Sequence, residues 1–292
     1  MSVSQAGRIM GILNVTPDSF SDGGQHVEVD LAVNRAAEMI AEGAATIDVG
    51  GESTRPGAEP VDAAEEIRRV VPTIEAIADQ CRVSGVRISV DTASDETARA
   101  AVAAGATMIN DVTASLWETA AELGVAWIAM HMQGQPRSMQ TDPTYEDVVS
   151  DVRRYLAKKA ALAKDAGVEE VWVDPGIGFG KTTAHNLALL GNISKFVSDG
   201  VPVLVGSSRK RSFGVLAAQS DAKTRHTAGR TVGAPDVPKI DPTGPDDRLE
   251  GSLISATWAI IQGAQMIRVH DVAATNAALE GAGVGTVASK EK

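Results

Sequence analysis

The chain has 292 residues, 43% of them hydrophobic and 3% aromatic, with a formal net charge of −11. That length suits one large domain, and the acidic balance argues against a nucleic-acid or anionic-membrane partner, which would favour a basic surface. The single cysteine, Cys81, excludes an intramolecular disulfide and a cysteine-rich metal site and is left a packing or loop role. In chain order, the apolar run Arg8–Asn14 reads as a strand and leads to a helical pattern of Leu31, Val33, Ala37 and Ile40, with Asp30 placed to cap it. After the strand Thr46–Gly50, Asp62 and Glu65 stand at the spacing of a capping box. Ile67, Val70, Val71, Ile74 and Ile77 follow, and Pro72 should kink or interrupt that helix. Arg87–Asp91 precedes a helix over Ser94–Ala104, Thr107–Asn110 one over Ser115–Leu123, and Ala126–His131 one over Thr144–Ala166. Val171–Asp174 is followed by Ala184–Ser198, Val203–Gly206 by Asp247–Gln262, and Met266–Val269 is the last strand. Gly43, Gly105 and Gly263, each just ahead of a strand, read as left-handed helix stops.

The strands are short and almost wholly apolar, as strands covered on both faces are. Their alternation with helices, without a linker, predicts a single α/β domain, a TIM (β/α)8 barrel over residues 1–280, an architecture that takes about 250 residues. Two segments break the rhythm. Residues 219–246 are rich in Gly and Pro and read as a long loop insertion, and residues 281–292 as a flexible tail. No apolar run reaches the length of a membrane span, and Met1–Arg8 lacks the apolar stretch of a signal peptide, so a cytoplasmic protein is expected.

The strands hand over to polar, chemically capable residues at their C-terminal ends, where a barrel collects its active site. Asp91, Asn110 and Asp174 come from three of these ends. Carboxylates there must be paired or hydrogen-bonded, and the N–H edge of a fused heterocycle would satisfy them, with Asn offering both donor and acceptor. Asp91 could instead cap the helix that follows. Ser208, Arg209 and Lys210 after the seventh strand, with Arg268 and His270 at the eighth, fall where barrels bind phosphate. Surface pairing with Asp or Glu is the plainer reading for any one of these cations, but the cluster favours an anion site. Asp174 to Thr182 suggests a P-loop, but Gly176 and Gly180 enclose three residues where that motif needs four. Its glycines suit close approach to a flat ligand, with Phe179 to cover it. His131 and His185 lack the partners of a zinc site. Asn14, Thr16, Asp18 and Asp22 offer oxygens that suit Mg2+ held partly by a substrate phosphate.

The segments Met10–Gly24 and Ile47–Gly57 closely resemble the dihydropteroate synthase family, the folate-pathway enzymes inhibited by sulfonamides. Ser89–Thr92, Ile109–Val112, Met130–Met132, Asp174–Gly176, Ser208–Lys210 and Arg268–His270 continue the likeness in order. The resemblance implies a transferase that condenses 6-hydroxymethyl-7,8-dihydropterin diphosphate with p-aminobenzoate, giving 7,8-dihydropteroate and pyrophosphate. Carried over by motif, Asp91, Asn110, Asp174 and Lys210 would hold the pterin, with Asp48 nearby. Asn14 would contact Mg2+ on the diphosphate, which Arg55, Arg268 and His270 would bind. Phe20, Thr54, Pro56, Phe179 and Ser208 would shape the p-aminobenzoate site, with Asp22 on a mobile first loop. Asp22, Lys210, Arg268 and His270 are the residues the resemblance puts closest to the chemistry, and a homodimer is implied too. Two other readings keep the same pocket: a non-catalytic pterin-binding paralogue, and a pterin-dependent methyltransferase module. The intact first and second segments argue against the former, and the latter leaves Arg55 and the cluster after strand seven without work.

Overall fold

The computed structural model describes residues 7–16, 24–52, 61–135, 138–216, 218 and 248–286. Eight parallel strands run β1 (Arg8–Asn14), β2 (Thr46–Gly50), β3 (Arg87–Asp91), β4 (Met108–Asp111), β5 (Ala126–Met130), β6 (Val171–Asp174), β7 (Leu204–Val205) and β8 (Met266–Val269). Their spatial order is β6-β5-β4-β3-β2-β1-β8-β7. The ring closes where Val173 bridges Val203 in parallel and its N–H donates to Pro202 O at 2.9 Å. The expected barrel is the observed fold.

Period-two alternation places the site. Met10, Met108, Ala126, Ile128, Trp172, Leu204 and Met266 form one buried cluster inside the ring. Their neighbours Ile9, Ile109, Trp127, Val173, Val205 and Ile267 belong to the larger core beneath the helices. A two-residue step along a strand returns to the same face. From the inner cluster that step leads from Met108 to Asn110, from Trp172 to Asp174 and from Met266 to Arg268. The apolar plug therefore passes directly into a polar layer at the C-terminal mouth.

The helices are α1 (Gly24–Ala41), α2 (Ala63–Ser84), α3 (Asp95–Ala104), α4 (Trp117–Leu123), α5 (Val148–Asp165), α6 (Thr183–Leu190), α7 (Ile193–Val197), the helical residues 211–216 (α8), α9 (Leu249–Ile261) and α10 (Val272–Gly281). Several expectations are corrected. Asp30 lies inside α1 rather than capping it. Pro72 does not interrupt α2, because buried Val70, Thr73, Ile74, Ile77 and Cys81 hold the helix in line across the missing N–H. Asp62 does cap α2, accepting from Glu65 N at 2.8 Å, while the Glu65 carboxylate bonds Arg68 and Arg69. The span 184–198 is two helices, ended at the first by Gly191 and Asn192, whose Nδ2 donates to Ala188 O at 2.8 Å. α10 fills part of the segment left unassigned after the last strand, and residues beyond it stay ordered: Gly7 N donates to Gly285 O at 2.9 Å and Gly7 bridges Thr286. The insertion at 219–246 lies outside the described residues, as do 287–292.

Asp111, fully buried at the end of β4, organises the chain that follows. One carboxylate oxygen accepts from Thr113 N at 2.9 Å and Thr113 Oγ1 at 2.6 Å. The other accepts from Ser115 N, Leu116 N and Trp127 Nε1 at 2.6, 2.7 and 3.2 Å. Removing it orphans several buried donors at once. Asp111→Ala is expected to lower the free energy of unfolding by about 3 kcal/mol or more; a denaturant midpoint equal to that of the parent chain would contradict this.

Candidate active site

Arg268, rising from the inner face of β8, bridges two acids across the mouth. Its Nε donates to Asp48 Oδ2 and its Nη2 to Asp91 Oδ2, each at 2.6 Å. Asn110 Nδ2 donates to the same Asp48 oxygen at 3.0 Å. Asp48 has no solvent exposure, and its Oδ1 is buried without a partner among the described residues. An acceptor left bare in that way is costly unless something donates to it. Asp91 is therefore engaged by Arg268, not by a helix end; Ser94 caps α3 instead, accepting from Thr97 N at 3.2 Å.

Asp174 closes the same floor from β6. Its Oδ1 accepts from Gly176 N at 2.8 Å. Gly206 separates Asp174 from Arg268: a Cβ there would lie 3.5 Å from Asp174 Oδ2 and 3.8 Å from Arg268 Cβ. Lys210 reaches over Phe179, with Nζ 4.0 Å from the ring centroid, a cation–π geometry. On the β2 side, a Cβ at Gly50 would sit 3.5 Å from Asp91 Cβ and 3.7 Å from Asn14 Oδ1, so Asn14 borders the same floor. Asn14, Asp48, Asp91, Asn110, Asp174, Phe179, Lys210 and Arg268 thus come together at one end of the barrel.

Burial dominates the electrostatics. It pushes the Asp91 carboxyl up to about 7 against the pull of Arg268, and pushes Asp174 upward too. It pushes the Lys210 ammonium down to about 8, with Arg268 adding to the fall and Asp174 opposing it. Burial also works against the charge of Arg268, but Asp48 and Asp91 outweigh it and raise the guanidinium above its ordinary value.

At the rim, Ser208 Oγ and His270 Nδ1 lie 3.0 Å apart, and His270 N donates to Ser208 Oγ at 3.2 Å. Burial first, and then Arg268, drop the His270 imidazole to about 3, so it is neutral. Arg209 departs from the cluster expected after strand seven. Its Nε and Nη2 fork onto Asp271 at 3.0 and 2.6 Å, joining the β7 and β8 ends. Phe20, Asp22, Thr54, Arg55 and Pro56, and with them Asp18, lie outside the described residues.

Sequence reasoning misses Lys181. It falls in the rejected P-loop, yet its side chain turns inward and only 2% of the residue is exposed. Its Nζ meets His131 Nδ1 at 2.9 Å and the carbonyl oxygens of His131, Gly176 and Phe179 at 3.1, 2.9 and 2.9 Å. Burial pushes the His131 imidazole down to about 3, so the ring is neutral and its Nδ1 can accept from Lys181, whose three N–H groups are shared among these four acceptors; burial also pushes the Lys181 ammonium down to about 7. The one signal in the sequence is the lysine's place at the end of a glycine-rich turn. Among the described residues no group of three or more His, Cys, Asp and Glu could hold a metal ion.

The family model described as "Pterin binding enzyme" matches residues 10–270. The dihydropteroate synthase of Escherichia coli K12 is 45% identical over 273 residues, covering 91% of this chain and 87% of that protein. A Xanthomonas albilineans dihydropteroate synthase structure with 4-aminobenzoic acid superposes with a TM-score of 0.79 at 43% identity, covering 95% of this chain and 92% of that one. The same organism's enzyme in complex with 7,8-dihydropteroate gives 0.76 at 40% identity, covering 96% and 94%. The chain belongs to the pterin-binding enzymes and, among them, to the dihydropteroate synthases, which are transferases.

Proposed function

We propose that the buried acidic floor of this dihydropteroate synthase holds the pterin of 6-hydroxymethyl-7,8-dihydropterin diphosphate, and that the cationic rim beside it handles the diphosphate. The observation that carries this reading is the Arg268 bridge between Asp48 and Asp91, with Asn110 on the same Asp48 oxygen. Asp91, Asn110 and Asp174 supply acceptors and one amide donor for a flat N–H-bearing ring, and Lys210 over Phe179 closes its edge. Arg268, anchored through Nε and Nη2, has a third nitrogen, Nη1, to offer the diphosphate, alongside His270 and Arg55. Phe179 and Ser208 would line the p-aminobenzoate side, the role that family resemblance also gives Phe20, Thr54 and Pro56, with Asp22 assigned to the chemistry by the same resemblance.

In the reaction the amine of p-aminobenzoate attacks the pterin methylene carbon. A C–N bond forms, the C–O bond breaks, pyrophosphate leaves with the electron pair, and the amine gives a proton to water. Positive charge grows on the ring and negative charge on the leaving group. Fixed carboxylates stabilise the first and the rim cations the second, each well-placed group contributing about 3–4 kcal/mol by analogy with oxyanion donors. Removing water from the mouth protects the activated pterin from hydrolysis.

The donor set fits Mg2+ carried in on the diphosphate rather than caged by protein. A cation that keeps most of its waters needs one or two protein oxygens, and Asn14 Oδ1 borders the floor where the diphosphate would pass. Asn14 would hold it, and when bound the ion would offset charge on the departing pyrophosphate.

A homodimer is also proposed. α9 exposes Ile254, Trp258 and Ile261 (71%, 44% and 55%) next to Leu187 of α6 (45%), and Trp258 Nε1 ties the two helices by donating to Leu190 O at 2.9 Å. An apolar stripe of that kind marks a contact surface. No helix among the described residues is long and apolar enough to cross a membrane, and a cytoplasmic setting suits the free, buried Cys81.

The direct test is pyrophosphate release from the pterin diphosphate with Mg2+, which should require p-aminobenzoate; binding of pterin without release would support the paralogue instead. Asp174→Ala and Lys210→Ala should each lower kcat/KM about a hundredfold or more, and near-normal kinetics in either would refute these roles. Asp91 must be ionised to accept an N–H and Lys210 protonated to donate one, so kcat/KM should fall below about pH 7 and above about pH 8. A flat profile from about pH 6 to about pH 9 would leave neither group a part in the reaction. For the dimer, Ile254→Glu should halve the mass seen by light scattering; a monomeric parent chain would end that proposal.

A further inference from the structure

The stretch from Asp174, the last residue of β6, to Lys181 carries two of the residues assigned to ligands, yet beyond Asp174 it belongs to no helix or strand. Its backbone lies directly on the segment after β5. A Cβ at Gly176 would fall 1.9 Å from His131 O and one at Gly180 2.2 Å from Gln133 O, and both glycines have positive φ, 67° and 61°. No side chain fits at either position, so the two stretches of backbone must be held by something other than packing.

We propose that Lys181 is a positioning residue that pins this loop to the end of β5, so that Asp174 and Phe179 meet the ligands in one fixed geometry. Lys181 bonds the backbone of two residues, Gly176 and Phe179, that also contact or carry the groups assigned to ligands. Its Nζ donates to Gly176 O at 2.9 Å, and Gly176 N donates to Asp174 Oδ1 at 2.8 Å. It donates to Phe179 O at 2.9 Å, and the Phe179 ring lies under Lys210 Nζ at 4.0 Å. The other end of the pin is β5, through His131 O and His131 Nδ1. The imidazole is itself wedged by Tyr155, edge to face at 4.9 Å. Further ties hold the loop without touching those two residues: Gln140 Nε2 to Gly178 O at 2.6 Å, Tyr145 OH to Gly180 O at 2.8 Å, and Gly178 N to Asn186 Oδ1 at 2.8 Å. An apolar side chain in place of Lys181 would take the donor from the carbonyls of Phe179 and His131 and leave Gly176 O with Phe179 N alone, and an orphaned buried acceptor rearranges toward water when it can. The Asp174 carboxylate and the Phe179 ring would then shift together. Small misplacements of that sort are costly at a reacting site.

The proposal rests on the ligand assignments above for its kinetic readout only. Lys181→Met should remain folded by circular dichroism while KM for p-aminobenzoate and for the pterin diphosphate each rise about tenfold. Asp111→Ala, destabilised at the end of β4, should leave both KM values unchanged and so separates positioning from general loss of stability. Amide hydrogen exchange needs no activity: in Lys181→Met the amides of residues 176 to 180 should exchange at least about tenfold faster. Should that variant not fold, His131→Phe removes one acceptor and keeps the ring; it should speed exchange in the same amides and raise both KM values about threefold. A folded Lys181→Met with KM values within about twofold of the parent and unchanged exchange overturns the proposal. So does His131→Phe with unchanged exchange. Faster exchange with no turnover in the parent chain would instead uphold the pin and discard the ligand assignments.

Discussion

The fork of Arg268 between Asp48 and Asp91 is the interaction on which the rest of the site depends. Asp48 has no exposure, and a bare buried carboxylate in that position would either take a proton or unfold the mouth. One guanidinium serves both acids at 2.6 Å. The planar fork does what an ammonium could not, since it bonds two partners in fixed directions. Asn110 then completes one Asp48 oxygen and leaves the other without a partner among the described residues. An acidic surface facing inward, with a guanidinium bonded to two of its carboxylates, suits the N–H groups of the ligand proposed for it. The same cation stands at the border with the rim, so the proposed ring and anion sites would share one charge.

The barrel makes that arrangement possible through strand parity. Met266 and Arg268, Met108 and Asn110, and Trp172 and Asp174 are pairs on one face, the first sealing the interior and the second lining the mouth. Parallel register aligns the levels: Gly50 pairs Asp91 and Asp91 pairs Asn110, with Met130 beside Asp174. Gly50 and Gly206 lie between neighbouring functional side chains, where a Cβ would be in ordinary van der Waals contact with Asp91 and Asn14 or with Asp174 and Arg268. The second support is peripheral. Arg209 on Asp271 ties β7 to β8, Asp111 ties β4 to the start of α4 and to β5, and Lys181 ties the loop after β6 to β5. Adjacent strand ends are thus linked by buried or half-buried charges outside the ligand floor.

Much of this is legible in the sequence. The strands are short runs bounded by glycine and polar residues, and their ends match the structure to within a few residues. Asp91, Asn110, Asp174 and Arg268 can be read as site residues because a polar group at the end of a doubly covered strand has little to do there except meet a ligand or another buried charge. What cannot be read is the partner of each charge. Arg209 looks the same as Lys210 in sequence, yet one forks onto Asp271 and the other reaches the floor, a distinction set by contacts 62 positions apart. Lys181 resembles a surface lysine because nothing local shows that three carbonyls and an imidazole converge on it. Pro72 is a weaker breaker than its chemistry suggests, since tertiary burial of one face outweighs a single lost hydrogen bond. α10 escapes notice because Val272, Thr275 and Leu279 bury a narrow stripe in an Ala-rich stretch with weak periodicity.

A crystal structure of the chain with the pterin diphosphate and Mg2+ bound is the most direct test of the acidic floor as the pterin site. The ring should lie over the barrel mouth with its N–H edge on Asp91, Asn110 and Asp174, Lys210 at its border, and the diphosphate beside Arg268 and His270. A ring bound elsewhere, with Arg268 still closed on Asp48 and Asp91 and no ligand atom within hydrogen-bonding distance of that floor, would contradict it.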